Sequence, residues 1–361
     1  MQQKIPVGIL GATGMVGQRF VTLLAKHPWF EISALGASSA SAGKPYDQAI
    51  GNRWALVEPM PDAVKQMPVY AVDQDLVTIA SKVKLVFCAI DLDADAIRSI
   101  EDGYAKAGVA VVSNNSANRW TADVPMIMPE VNPHHLDMIP VQRNHRGWNT
   151  GFIVVKPNCS IQCYVPILEA WKQFEPQQLR VSTYQAISGA GKTFATWPEM
   201  VDNVIPYIGG EEEKSEKEPL KIWATIVDGE FILSETPRIS AQCIRVSASD
   251  GHFATLNVLF KGSPTKQQLL DAIRNFPNPL SDLKLPSAPE PFITYFDEEN
   301  RPQTKLDRNI DHGMGISMGR LREDPLGGWK CVSLSHNTIR GAAGGAVLIA
   351  ELLVAKGYIC T

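Results

Sequence analysis

Over about the first 150 residues, compact apolar runs alternate with segments whose apolar positions recur every three or four residues. Val7–Leu10 predicts a short strand, and G-A-T-G-M-V-G then opens a helix over Gln18–Lys26 that places Phe20, Leu23 and Leu24 on one face. Glu31–Leu35 predicts a second strand ending at A-S-S-A-S-A-G-K, and Val83–Ile90 a largely apolar strand of the kind buried in a parallel sheet. Asp93–Ala107 has helical periodicity, Gly108 breaks it, and Val109–Val112 returns to strand. This alternation predicts a Rossmann-like, doubly wound α/β sheet.

Beyond the apolar run Phe152–Val155 the pattern changes. Ile161–Phe174 predicts a helix and Arg180–Ile187 a strand, while Phe231–Leu233, Cys243–Ser247 and Phe253–Phe260 predict strands of a largely antiparallel sheet. Ser263 as cap with Pro264 at the first position predicts a helix through Leu269 and Ile273. The segment Pro277–Asp307, rich in Pro, Asp and Asn, predicts a long surface excursion and a candidate contact arm between subunits. From His336, H-N-T-I-R-G-A-A-G-G is a small-residue turn opening an apolar helix that Gly357 closes. The expected division is residues 1–157 as a dinucleotide-binding domain completed by a C-terminal helical segment, 336–361, and residues 158–335 as an α+β catalytic and oligomerisation domain.

Composition narrows the function. The chain has 361 residues, long enough for two cores, and a formal net charge of -4. Its Lys and Arg are scattered, which speaks against a nucleic-acid or membrane partner and for a small-molecule substrate. The 6 cysteines, at positions 88, 159, 163, 243, 331 and 360, lack C-x-x-C spacing, so no metal site is expected and free thiols in a reducing compartment are. No signal-peptide core precedes the first strand and no apolar stretch reaches about 18 residues, which predicts a soluble, cytoplasmic protein.

The glycine turn carries the first candidate chemistry. In G-A-T-G-M-V-G, Gly11 permits the turn, Gly14 lets backbone approach a pyrophosphate and Gly17 lets the helix pack on the sheet, with Thr13, Met15 and Val16 completing the loop. The next strand ends in Ser38, Ser39, Ser41 and Lys44, with none of the carboxylates an NAD site uses for the ribose hydroxyls. Hydroxyls and a cation there favour a 2′-phosphate, hence NADP; an ordinary polar loop uses the same residues.

The second candidate is Cys159 in K-P-N-C-S-I-Q, where an apolar strand gives way to helical spacing. A cysteine at the first turn of a helix faces unpaired N–H groups that favour the thiolate, although a lone cysteine is also a common small core residue. A nicotinamide beside a nucleophilic thiol suggests oxidoreduction at the acyl level, with a histidine as acid or base. Of the 7 histidines, His252 follows R-V-S-A-S-D-G in a turn between strands, but spacing alone does not select it.

P-N-C-S at Cys159, Y-Q-A-I-S-G-A-G around Gln185, Y-I-G-G-E-E-E-K ending at Lys214, R-V-S-A-S-D-G-H from Arg245 to His252, and G-A-A-G-G-A near the end occur in one order. With G-A-T-G-M-V-G-Q-R-F and A-S-S-A-S-A-G-K, they make the whole chain resemble the aspartate-β-semialdehyde dehydrogenases, particularly their archaeal and fungal branch. The resemblance implies NADPH-dependent reduction of L-β-aspartyl phosphate to the semialdehyde through a cysteine thioester, in lysine, threonine and methionine biosynthesis, by a homodimer or homotetramer.

By position, the resemblance makes Cys159 the nucleophile and His252 the acid/base, with Asn158 and Gln185 orienting the acyl group and the thiol. Arg245 would pair with the α-carboxylate, Glu211 with the α-amino group, and Lys214 with Arg119 would hold the phosphate. Ser188, Gly189, Asn337 and Gly341 would lie along the cofactor. Glu212 or Glu213 is the alternative amine ligand if the register slips by one. The segment S-N-N-S-A-N-R that presents Arg119 matches the family loosely, and C-S-I-Q replaces the more usual C-T or C-A. Competing readings are a malonyl-CoA reductase on the same scaffold and a catalytically silent NADP-binding sensor.

Overall fold

The computed structural model describes residues 3–360. Strands β1 (Ile5–Leu10), β2 (Phe30–Ala37), β3 (Val69–Ala71), β4 (Leu85–Cys88), β5 (Ala110–Ser113) and β6 (Phe152–Val155) form a 6-stranded sheet in the order β3-β2-β1-β4-β5-β6. Every pairing is parallel. Helices cover both faces, so Val7, Ile9 and Leu10 of β1 are all inaccessible to solvent; that is why these strands read as apolar runs without alternation. The strand order reverses at β1 and β4, and the G-A-T-G-M-V-G turn leaves the carboxyl end of β1 at that switch point.

The helix Gly344–Ala355 is apolar on nearly every side because it is enclosed. Its Val347, Leu348, Ile349 and Leu352 share one cluster with Val7, Ile9, Phe20 and Phe30. Among the described residues no helix is long and apolar enough to cross a membrane.

The second sheet is built from β7 (Pro176–Gln185), β8 (Val204–Ile205), β11 (Arg238–Val246), β12 (His252–Phe260), β13 (Ile293–Phe296), β14 (Ile316–Glu323) and β15 (Trp329–Ser335), with β9 (Thr225–Val227) and β10 (Glu230–Ile232) forming a separate hairpin. Its order is β13-β14-β15-β12-β7-β11-β8. β7 runs parallel to β11 and β13 to β14, and the remaining pairs are antiparallel. Along β12, His252, Ala254, Leu256 and Val258 are the buried positions and so share one face. Ala254, Leu256 and Val258 pack in one core with Ile161, Tyr164, Val165 and Leu168, which follow Cys159 in the chain. The period of two in β12 therefore turns His252 toward the cysteine loop.

Four expectations change. Phe231 belongs to the β9–β10 hairpin, where Asp228 (φ 50) and Gly229 (φ 81) make the tight turn, and not to the large sheet. The helix expected from Ser263 starts at Lys266, because Thr265 accepts the Gln268 N–H (3.3 Å) and the Gln268 side chain accepts the Thr265 N–H (2.8 Å). Ile161–Phe174 is broken into Ser160–Cys163, Val165–Ala170 and Lys172–Phe174; Pro166 removes an interior donor and crowds the preceding turn. Pro277–Asp307 is not a surface excursion, since it contributes β13 and buries Leu280, Leu285, Phe292 and Ile293.

Candidate active site

β6 ends at Val155, and Lys156-Pro157-Asn158 lead to Cys159. This loop is tied down by a buried ion pair. Glu218 accepts from Arg119 at 2.8 Å with one carboxylate oxygen and from the Asn158 backbone N–H at 2.7 Å with the other. Arg119 also donates to the carbonyls of Lys156 (3.1 Å) and Asn114 (3.2 Å). Much of the donor capacity of Arg119, expected for phosphate, is thus committed to the cysteine loop.

Cys159 does not open an α-helix. It precedes a single 3₁₀ turn, Ser160–Cys163, too short to supply the helix-end field expected from the sequence. Burial, with the negative Glu211 next in effect, pushes its thiol up to about 11, while Lys156, Arg119 and Arg245 pull in the opposite direction. Its sulfur lies 3.4 Å from His252 Nε2 and 3.4 Å from Asn158 Oδ1. His252 is fully buried, and its Nδ1 accepts the Ala186 backbone N–H at 3.2 Å. Nε2 therefore carries the proton of the neutral ring and points it at sulfur. Burial first, then Arg245, pushes the imidazole down to about 3.

Gln185 and Arg245 are in register on the parallel pair β7 and β11. The Glu211–Ile222 helix brings Glu211 to the same place, where its carboxylate accepts from Asn158 (2.8 Å), Gln185 (3.3 Å) and Lys214 (3.0 Å). Burial opposes ionisation of Glu211, but Lys214 and these hydrogen bonds outweigh it and lower its pKa. Of its neighbours, Glu212 accepts the Cys243 backbone N–H and Glu213 faces solvent. Arg245 is 6 % exposed and donates to the Ala186 carbonyl at 2.7 Å, yet it has no carboxylate partner among the described residues. A guanidinium in that condition is prepared for an arriving carboxylate.

The backbone crowds this pocket closely. A Cβ on Gly189 would fall 2.8 Å from Arg245 Nη1 and 3.1 Å from His252 Nε2, and one on Gly341 2.8 Å from the Cys159 Cβ. Asn337 joins these elements by accepting the Gly251 N–H (2.8 Å) and donating to the Ser188 hydroxyl (2.8 Å).

At the switch point, a Cβ on Gly11 would lie 2.2 Å from the Ala89 carbonyl oxygen and one on Gly17 2.1 Å from the Gly11 oxygen, so both are needed for the turn. Gly14 is exposed and open above, flanked by Thr13, Met15 and Val16. The helix Met15–Leu24 that it caps has no side-chain cap and no acidic residue in its first turn. That end fits an anionic phosphate. Ser38 and Ser39 are exposed and Ser41 is buried; Lys44 folds back to donate to the Ala40 carbonyl at 3.0 Å, which keeps a cation beside the serines.

The family models described as "Semialdehyde dehydrogenase, NAD binding domain" and "Semialdehyde dehydrogenase, dimerisation domain" match residues 6–139 and 165–340. The chain is 41% identical to the aspartate-semialdehyde dehydrogenase of Archaeoglobus fulgidus, over 99% of this chain and 100% of that one. The chain belongs to the aspartate-semialdehyde dehydrogenase family. Its Saccharomyces cerevisiae relative is also 41% identical, over 99% and 100% of the two chains. The crystal structure of the Candida albicans aspartate-semialdehyde dehydrogenase with NADP superposes with a TM-score of 0.87 at 40% identity, covering 99% of this chain and 100% of that one.

Several residues of this family member were not singled out from its sequence. Glu218 lies seven residues after Glu211 on one helical face, a spacing that marks it in retrospect. Lys156 stands inside the cysteine motif itself. The buried pair Glu130–Arg340, bidentate at 2.7 and 2.8 Å, links residues too distant in sequence for any local signal.

Proposed function

We propose that the chain catalyses NADPH-dependent reductive dephosphorylation of L-β-aspartyl phosphate to L-aspartate-β-semialdehyde, a step toward lysine, threonine and methionine. The observation that carries this reading is the carboxylate-free Arg245 in register with Gln185, whose side chain bonds Glu211: opposite charges suited to the carboxylate and ammonium of an amino acid. Arg245 takes the α-carboxylate, Glu211 the α-amino group, and Lys214 with the remaining N–H groups of Arg119 the phosphate. Asn158 and Gln185, both bonded to Glu211, fix its position against the acyl group. The names of the relatives favour this substrate over malonyl-CoA, which has no amine for Glu211.

The Cys159 sulfur gives up its thiol proton and attacks the acyl carbon, the C–O bond to phosphate breaks, and phosphate leaves carrying that proton. Gly11, Gly14, Gly17 and the Ser38–Lys44 loop fit the phosphates of NADP; when bound, the reduced nicotinamide supplies a hydride to the thioester carbon. The hemithioacetal oxygen is met by His252 Nε2–H, and breaking of the C–S bond releases the aldehyde and returns the thiolate.

Residues 1–157 with 336–361 act as the cofactor unit, and 158–335 as the catalytic unit through which the chain forms a homodimer. Its sparse, unpaired cysteines suit a reducing, cytoplasmic setting. The test is NADP reduction with aspartate semialdehyde in the presence and absence of phosphate. Phosphate-dependent turnover is expected; activity with malonyl-CoA alone would replace the reading, and no turnover with either would favour a silent NADP sensor.

A further inference from the structure

Lys156 is a buried amine outside any ion pair. It is 2 % exposed, is in no ion pair among the described residues, and its amine reaches only the Pro157 carbonyl, at 3.3 Å. Such a lysine is costly unless a charge partner forms during function. The turn Ile339–Ala343 and the helix after it are shaped around this loop: Gly341 leaves room for the Cys159 Cβ, and Gly345 for the Lys156 side chain, whose Cε would lie 2.4 Å from an added Cβ. These two glycines, four apart, lie against the cysteine and the lysine respectively.

We propose that Lys156 is the resident charge partner of Cys159, its ammonium stabilising the thiolate. This rests on Cys159 being the nucleophile. In the step, the S–H bond breaks, its proton is the one that leaves with the phosphate, and the Lys156 ammonium faces the negative sulfur.

The charges around the pair are disposed for it. Around Lys156 stand Cys159, Arg340, Arg119 and Glu218; around Cys159 stand Glu211, Lys156, Arg119 and Arg245, with His252 at 3.4 Å. Arg119 is neutralised by Glu218 and Arg340 by Glu130. His252 is a poor alternative cation, because a second ring proton would have to face the Ala186 N–H. Burial lowers Lys156 to about 7, and Cys159 is the largest charge acting to raise it again. Charge on either group thus favours charge on the other, which is the coupling a thiolate–ammonium pair needs.

The experiment follows iodoacetamide alkylation of Cys159, read by mass spectrometry of its peptide, across pH 5.5–10 in the full-length protein (~0.5 pH steps resolve a shift of about one unit). Lys156→Met is expected to slow alkylation across the neutral range by about tenfold or more. Lys156→Arg, which keeps the charge, should restore most of the rate. NADP affinity should change in neither variant. An unchanged profile in folded Lys156→Met overturns the proposal. A second readout needs only the wild type, Lys156→Arg and Cys159→Ser: the ¹³Cε lysine resonance missing from Lys156→Arg should titrate at lower pH once Cys159→Ser removes the thiolate. A midpoint indifferent to Cys159→Ser also overturns it. Turnover by Cys159→Ser would be a different failure, that of the nucleophile assignment.

Discussion

His252 Nε2 lies 3.4 Å from Cys159 Sγ while the opposite nitrogen of the ring accepts the Ala186 backbone N–H, so the imidazole presents a proton to the sulfur rather than a lone pair. It is set to donate, first to the thiolate and then to the oxygen of the tetrahedral adduct. His252→Gln should lower kcat by roughly 10²–10⁴-fold with a small change in substrate KM. Steady-state kinetics check this, and unchanged kcat would remove the ring from the chemistry.

Cys159→Ser should reduce turnover by on the order of 10³-fold or more, because a serine hydroxyl in the same place is far less ionised than a thiol. NADP binding, followed by fluorescence titration, should stay near wild type.

Arg245→Lys removes the fork that matches a carboxylate while keeping the charge. Loss of a charge-assisted hydrogen bond is worth about 1.5–3 kcal/mol, so substrate kcat/KM should fall roughly 10- to 150-fold. Comparable efficiency in this variant would show that Arg245 does not bind the α-carboxylate.

Glu130 and Arg340 are 0% and 2% exposed at their side chains, and their pair fixes the turn that presents Gly341 to Cys159. Glu130→Ala leaves a buried guanidinium unpaired, for an expected loss of about 3–5 kcal/mol in guanidinium unfolding. Activity of the surviving folded fraction should fall as well, since the turn loses its anchor.

Acid should destabilise the fold through its buried histidines. His252 is lowered to about 3, and His135 and His336 to about 4, chiefly by burial. Between these values and the unfolded histidine range near 6.5, the unfolded chain binds the extra protons, so stability present at pH 7 is lost as pH falls. Each histidine contributes up to about 1.4 kcal/mol per pH unit across that window. Denaturant unfolding from pH 7 to pH 4 should show this slope, and His135→Leu, away from the cysteine, should reduce it; equal slopes would contradict the assignment.

Much of the first sheet was legible because buried parallel strands and their helices leave long, regular patterns. Val7–Leu10, Phe20 with Leu24, and Asp93–Ala107 are of this kind. The second sheet was less legible. β14 and β15 escaped notice because short mixed strands take their identity from the neighbours they pair with, as β15 does with β12. Pro277–Asp307 looked polar although Leu280 and Phe292 are buried, since a few anchors suffice to hold an irregular segment.

The chain's own order of residues determined the glycine turn, the serine loop, and the motifs that carry Cys159, Gln185, Glu211, Arg245 and His252. Those features are local, or preserved as short words in a fixed order. Tertiary structure alone decided the state of each group. Glu218 captures Arg119 from 99 positions away, and Ala186 sets the proton of His252 from 66. It also placed Lys156, Arg119 and Arg245, and no α-helix end, around Cys159. Charge and hydrogen bonding act through distance in space, and sequence spacing specifies that distance only within a turn or a strand.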